Sequence, residues 1–322
     1  MYGAAAIAHH ADLTRLLLAR GADPNDGETP YHVPEGYDNT VTKILLESGK
    51  LNAASIATML LRKCDWHDEK GLQLILQHGA DPNAMTIWGL TALHQSLRRD
   101  NGLVMIEMLL NHGADPRLAN REGLSSIQIA ARRGRGDVLR LFAGRNFEHG
   151  LEGPVLQGLD RLIVACALAD RGAIRAITTQ QPHLVAELLA QGGTLLAEFA
   201  GNANVEGIHA LLDLGVSPAA LYGGDGYFDI ARDSTALHVA AWRGWPAAVK
   251  ALIARGAPIN ALDGKGRSAL ALAVKACTDS YWKYRRTTES IEALLQAGAT
   301  VTGIDLPTGY DEADRLLRQA KG

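Results

Sequence analysis

A chain of 322 residues with 47% hydrophobic and 21% charged side chains has the balance of a folded protein, which excludes a disordered one. Its formal net charge of −3 leaves no basic excess for coating nucleic acid, and no apolar run approaches the roughly 20 residues of a membrane helix. Three cysteines, Cys64, Cys166 and Cys277, stand far apart with no CxxC pair, which argues against a zinc knuckle or disulfide frame and makes a reducing cytoplasm the expected setting.

The N-terminal stretch MYGAAAIAHHADLTRLLLAR lacks a basic n-region and reads as an amphipathic helix pair, with His9 and His10 in the turn between them. It closes on ARGADPN (19–25). TPYH (29–32) opens a second, short unit in which Pro34 and Gly36 should break a regular first helix. A third unit starts near Thr58, carries the polar stretch RKCDWHDEKG (62–71) and closes on QHGADPN (77–83). TALH (91–94) begins a fourth, which closes on NHGADPR (111–117); further starts fall near Ser125, Asp160 and Thr194. A hairpin-like insertion, LYGGDGYFDIARDS (221–234), precedes a second TALH (235–238) and ARGAPIN (254–260). The unit from Ser268 carries TDSYWKYRRTTES (278–290) between its helices, and GYDEADRLLRQA (309–320) reads as a polar-faced closing helix.

Thr58 to Thr91 is 33 residues, Thr91 to Ser125 is 34, and Thr235 to Ser268 is 33. That period with a T-P-L-H signature resembles the ankyrin repeat, over nearly the whole chain and best in 234–267. Within that copy the Thr235 hydroxyl can satisfy orphaned donors at a helix start, Leu252 and Ile253 supply an apolar stripe, and Gly256 can end a helix at positive φ. The resemblance implies an all-α solenoid of stacked helix-turn-helix units with short hairpin or loop tips and a C-terminal capping helix. It implies one domain over 1–322, with nine units starting near residues 1, 29, 58, 91, 125, 160, 194, 235 and 268 and a cap at 308–321. It further implies that Thr235 and His238 bond one another and neighbouring backbone, and that Ala240 and Ala241 are small for close helix approach. Met1 and Tyr2 fall in the Leu and His slots, so part of the first repeat, or an upstream segment, is expected to be missing. In its Ala, Leu and Arg usage the chain is similar to bacterial members.

In this family the first helices line a concave groove where most members bind other macromolecules. The groove positions here are Asp65 and Trp66 (then His67), Arg98 and Arg99, Arg132 and Arg133, Gly201 and Asn202, and Trp242 and Arg243, with Ala167 and Leu168 nearly blank. Adjacent helices stand about 8–10 Å apart, so the four arginines are expected to form one positive patch. Asp65, Asp68, Asp100 and Asp137 are the carboxylates that could neutralise it. Tyr227, Phe228, Tyr281, Trp282, Tyr284, Arg285 and Arg286 concentrate on the two insertions, either for recognition or folded back as a satellite core.

The first functional expectation is non-catalytic recognition of a protein or peptide with an acidic component, or of a small anionic ligand. Its contacts would be Trp66, Arg98, Arg99, Arg132, Arg133, Trp242 and Arg243, with Tyr281, Trp282 and Arg285 from the loop; nucleic acid and membrane are disfavoured. The competing expectation is a small-molecule or enzymatic pocket lined by Tyr31, Asp65, His67, Asp68 and Arg98, with His67 as acid or base. A metal site needs three or four converging ligands and the spacing offers His67 with one carboxylate, so neither metal nor cofactor is expected. His32 and His94 sit in the structural His slot, and His78 and His112 precede the glycine at a helix C-terminus, where an imidazolium meets the dipole favourably.

Overall fold

Several helices in this chain begin where a side chain accepts an orphaned backbone N–H, among them those that follow Asn52, Asp68, Thr91, Asn204 and Ser268. The computed structural model describes residues 1–147 and 156–321; of the expected span 1–322, residues 148–155 and Gly322 lie outside the described residues. Two compact units emerge, one built from Met1–Ala130 and a stretch beginning at Leu141, the other from Ala131–Arg140 and the described residues from 156 onward.

In the first unit a wide helical turn at Gly3–Ile7 precedes α1 (Ala11–Ala19), α2 (Glu28–His32), α3 (Thr40–Glu47), α4 (Ala53–Asp65), α5 (Glu69–Gln77), α6 (Ala92–Arg98) and α7 (Leu103–Asn111). The first turn, α2, α4 and α6 pack in one row, and α1, α3, α5 and α7 in a second. Leu45, Met59, Leu60, Leu72, Ile75, Leu93, Leu97, Met105 and Ile106 are fully buried in this unit. Helix α2 stops at His32, before Pro34, and Gly36 takes φ 102°. Helix α4 starts earlier than the Thr58 phase suggests. Asn52 caps it by accepting from the Ser55 N–H (2.8 Å), and Thr58 lies inside, its hydroxyl donating to the Ala54 carbonyl (2.9 Å).

Helices α8 (Ser126–Arg132) and α9 (Gly136–Phe142) follow, each shared between the two units. The second unit then has α10 (Leu159–Leu168), α11 (Arg171–Gln180), α12 (His183–Ala190), α13 (Gly192–Gly201), α14 (Val205–Asp213), α15 (Ala236–Trp242), α16 (Pro246–Ala254), α17 (Ala269–Thr278), α18 (Glu289–Gln296) and the capping helix α19 (Asp311–Lys321). One row is α13, α15 and α17; the other is α10, α14, α16, α18 and α19. The stretch from Asp160 thus yields three helices, and the third, α12, bridges α10 and α11 to α13. The insertion before the second TALH is a hairpin: β1 (Leu221–Tyr222) pairs antiparallel with β2 (Ser234–Thr235), with an isolated bridge between Asp225 and Ile230. A 3-10 turn (Tyr281–Arg285) occupies the insertion between α17 and α18.

The recurrent sequence words acquire mechanical roles. Thr91 and His94 bond through the hydroxyl and Nδ1 (2.8 Å), as do Thr235 and His238 (2.9 Å). Each ring also accepts the threonine N–H at Nδ1, and Nε2–H donates to the Leu118 or Ala261 carbonyl at 3.0 Å. In three of the four ADPN-like words the closing residue is an asparagine that ties consecutive repeats. Asn83 donates to the Gly113 carbonyl and accepts from the Asp115 N–H, both at 2.8 Å. Asn25 does the same with Lys50 and Asn52, and Asn260 with Gly298 and Thr300. His78 and His112 donate from Nδ1 to the Leu74 and Met108 carbonyls at the ends of their helices.

The two Thr–His boxes predict a pH response. Burial pulls the His94 and His238 imidazoles below their ordinary value, against the help of carbonyl hydrogen bonds. A depressed imidazole contributes stability that is complete above the unfolded value of about 6.5 and is lost as pH falls through the folded one. The urea midpoint should therefore fall as the pH drops below about 6.5. Gln128 fills the same slot after Ser125, its side-chain oxygen accepting from the Ser125 N–H (2.8 Å). An H94Q/H238Q variant should keep the fold and show a flatter slope; an unchanged slope would assign the effect elsewhere.

Candidate functional site

The first unit contains a cleft of about 240 Å³ along its α2–α4–α6 row, lined by Tyr31, Leu61, Arg62, Asp65, Trp88, Leu90, Gln95, Arg98 and Arg99. Its floor is organised by one carboxylate. Asp65 accepts from Arg62, from Gln95 Nε2 (2.5 Å) and from Arg99 Nε (2.6 Å), and only 7% of its side chain is exposed. Arg62 also pairs with Glu35 (2.8 Å), which in turn meets His32 Nδ1 at 3.0 Å. The Arg62 guanidinium lies 4.0 Å from the Tyr31 ring centre, and the Tyr31 and Trp88 rings stand 5.7 Å apart as an aromatic wall. Arg98 is exposed and, among the described residues, forms no ion pair. The lining thus carries three guanidiniums against one carboxylate, with Arg62 and Arg99 held by Asp65 and Arg98 at liberty to meet an anion.

Of the residues considered for an acid–base pocket, Tyr31, Asp65 and Arg98 meet in this cleft; His67 and Asp68 are placed elsewhere. His67 takes φ 51° in the turn after α4, where its Nδ1 accepts from Asn101 Nδ2 (2.9 Å). Asp68 is buried and caps α5 through the Gly71 N–H (3.0 Å) while pairing with Lys63 Nζ (2.8 Å) and accepting from Asn39 (2.8 Å). Burial pushes the Asp68 carboxyl up, yet Lys63 and the two N–H donors together leave it below its ordinary range. Lys63 is fully buried and donates also to the Gly36 carbonyl (3.0 Å); burial pulls its ammonium below the usual value.

The four arginines of the expected patch divide between the units. In the second, Arg132 pairs with Asp160 (2.6 Å) and donates to Gln191 (2.9 Å), and Arg133 meets Glu198 (3.3 Å). Their carboxylates are therefore Asp160 and Glu198, while Asp137 serves Arg135 (2.8 Å). Trp66 is partly exposed outside the cleft lining.

Trp242 and Arg243 require a correction, since they do not face an open groove. They are 5% and 3% exposed, covered by the chain's own insertions. Trp242 Nε1 donates to the Phe228 carbonyl (2.6 Å), and the Arg243 guanidinium sits 4.3 Å from the ring centres of both Phe228 and Trp282. Arg285 stacks 3.8 Å from Trp245 and 4.6 Å from Trp282, and burial draws its guanidinium below the ordinary value. Trp282 is itself buried, whereas Tyr281, Tyr284 and Tyr227 keep large exposed surfaces. The insertions thus behave largely as a satellite core, with tyrosines on its outer side.

Sequence reasoning passed over Arg62, Trp88, Gln95 and Lys63. Arg62 and Gln95 lie three and four residues before groove positions on their helices, and that helical spacing was the available signal. Trp88 sits on the turn between α5 and α6, for which the repeat phase offers no direction. The three cysteines are free and buried. Among the described residues no helix is long and apolar enough to cross a membrane.

Comparison with known proteins bears on two stretches of the chain. A family model described as Ankyrin repeats (3 copies) matches residues 59–151, and one described as Ankyrin repeat matches residues 232–264. The human transient receptor potential cation channel subfamily A member 1 is 32% identical over 91 residues, which is 26% of this chain and 8% of that protein. Among solved structures, the human ASB11 ankyrin repeat domain matches over 93% of this chain and 97% of its own, at 20% identity and a TM-score of 0.30. Ankyrin repeats are in general protein–protein interaction modules. Residues 59–151 and 232–264 of the chain are thus ankyrin repeats.

Proposed function

We propose that this chain is a non-catalytic, cytoplasmic recognition module, and that the cleft of the first unit receives an acidic side chain of a protein or peptide partner. The observation that supports this most is the difference among its three arginines. Arg62 and Arg99 converge on Asp65, whereas Arg98 stands exposed on the same lining without an ion pair among the described residues. The convergence fixes the positive floor before a ligand arrives, which lowers the ordering cost of binding. Tyr31 and Trp88 add an aromatic wall of the kind enriched at interface hot spots. Since Arg132 and Arg133 already have carboxylates, Arg98 carries the electrostatic role in this reading.

The test uses a partner isolated on the full chain and then titrated in purified form at several salt concentrations. An Arg98→Ala variant should bind about fivefold to tenfold more weakly at low salt, with a shallower salt dependence. Arg132→Ala should leave that slope in place. Equal affinity of wild type and the Arg98→Ala variant at every salt concentration would overturn the assignment.

A further inference from the structure

The second unit holds a separate cleft of about 550 Å³ between α11 and α14, lined by Ala169, Arg171, Ile174, Arg175, Thr178, Glu206, His209, Ala210, Asp213 and Leu214. Its origin lies in the three-helix stretch. Helix α14 packs on α10 and α16, while α11 packs on α10 and the extra helix α12, so α11 and α14 flank α10 with a gap between them. The volume falls within the range of small-molecule sites.

The walls have opposite charge. Arg171 and Arg175 are one turn apart on the same face of α11, a like-charge spacing that disfavours the helix unless an anion sits between them. Among the described residues neither forms an ion pair, and Glu206 across the cleft forms none either. Asp213 is already held by Arg255 (2.8 Å), which also donates to His209 Nδ1 (3.3 Å). Because arginine can only donate, His209 keeps its ring proton on Nε2 when neutral. Ile174, Ala210 and Leu214 supply an apolar stretch within the same lining.

We propose that this cleft binds a small zwitterion of the free dipeptide class. Its carboxylate is shared by Arg171 and Arg175, its ammonium faces Glu206, and an apolar side chain rests on Ile174, Ala210 and Leu214. A ligand with both charges matches both walls at once. A simple anion leaves Glu206 unanswered, and a simple cation leaves two guanidiniums facing each other.

The experiment titrates glycyl-leucine, N-acetyl-glycyl-leucine and glycyl-leucine amide into the full chain and follows the methyl resonances of Ile174, Ala210 and Leu214. Free dipeptide should give saturable shifts, and blocking either end should weaken binding about tenfold. An R171A/R175A variant should bind the free dipeptide no better than wild type binds the amide, and E206Q no better than wild type binds the acetylated form. These side chains are exposed, so an unchanged urea midpoint confirms that each variant folds. Arg98→Ala, in the other cleft, should leave every titration unchanged. Blocked and free dipeptides binding alike, or no saturable shift with any of the three, would overturn the proposal.

Discussion

Replacing Asp68 by alanine should lower the unfolding free energy by about 3–5 kcal/mol, the cost of leaving one partner of a buried ion pair behind. Its carboxylate does two jobs at one point: it caps α5 at the Gly71 N–H and neutralises Lys63, which has no exposed surface. The site is closely packed: a Cβ built at Gly71 would meet Asp68, Lys63 and Asn39 at 2.4–2.6 Å. A double variant, K63M/D68N, removes both charges and keeps a capping side chain, so it should recover most of that loss. Urea unfolding of the three proteins checks the argument. An Asp68→Ala cost below about 1 kcal/mol would show that Lys63 finds other compensation.

The second large effect belongs to Trp282. Its ring is buried, lies 4.3 Å from the Arg243 guanidinium and 4.6 Å from that of Arg285, and stands 6.2 Å from Phe228. Trp282→Ala should cost about 3–5 kcal/mol, the range for emptying an aromatic core site. It also strips both guanidiniums of a cation–π partner worth roughly 0.5–2 kcal/mol each. Trp66→Ala, at a position more than a third exposed, should cost distinctly less, about 1–2 kcal/mol. Equal losses at the two tryptophans, read from thermal and urea unfolding, would contradict the satellite-core description.

Much of the architecture was legible because repeat signals act between chain neighbours. The Thr–His box, the hairpin before Ser234, the break before Pro34 and the terminal cap each depend on a few consecutive residues. What escaped depends on pieces far apart in sequence. Lys63 looks like an ordinary charge near a helix end until Gly36 and Asp68 close around it. Trp242 and Arg243 occupy groove positions by phase, but whether a groove position stays open depends on where Phe228 and Trp282 fold, and helical periodicity carries no such information. The cleft residues divide in the same way: Tyr31, Asp65 and Arg98 followed from phase, while Trp88 came from a turn and Arg62 acts through the carboxylates it bridges.

The asparagines at positions 25, 83 and 260 have a mechanical consequence. Each uses both ends of one amide to grip the backbone about one period further along, so the tie is made only when both repeats are already in register. Such links reward neighbours jointly and contribute nothing to a lone repeat, which is the condition for a linear array to melt in blocks instead of residue by residue. Within each unit they act as rungs, setting the distance over which a local disturbance is felt.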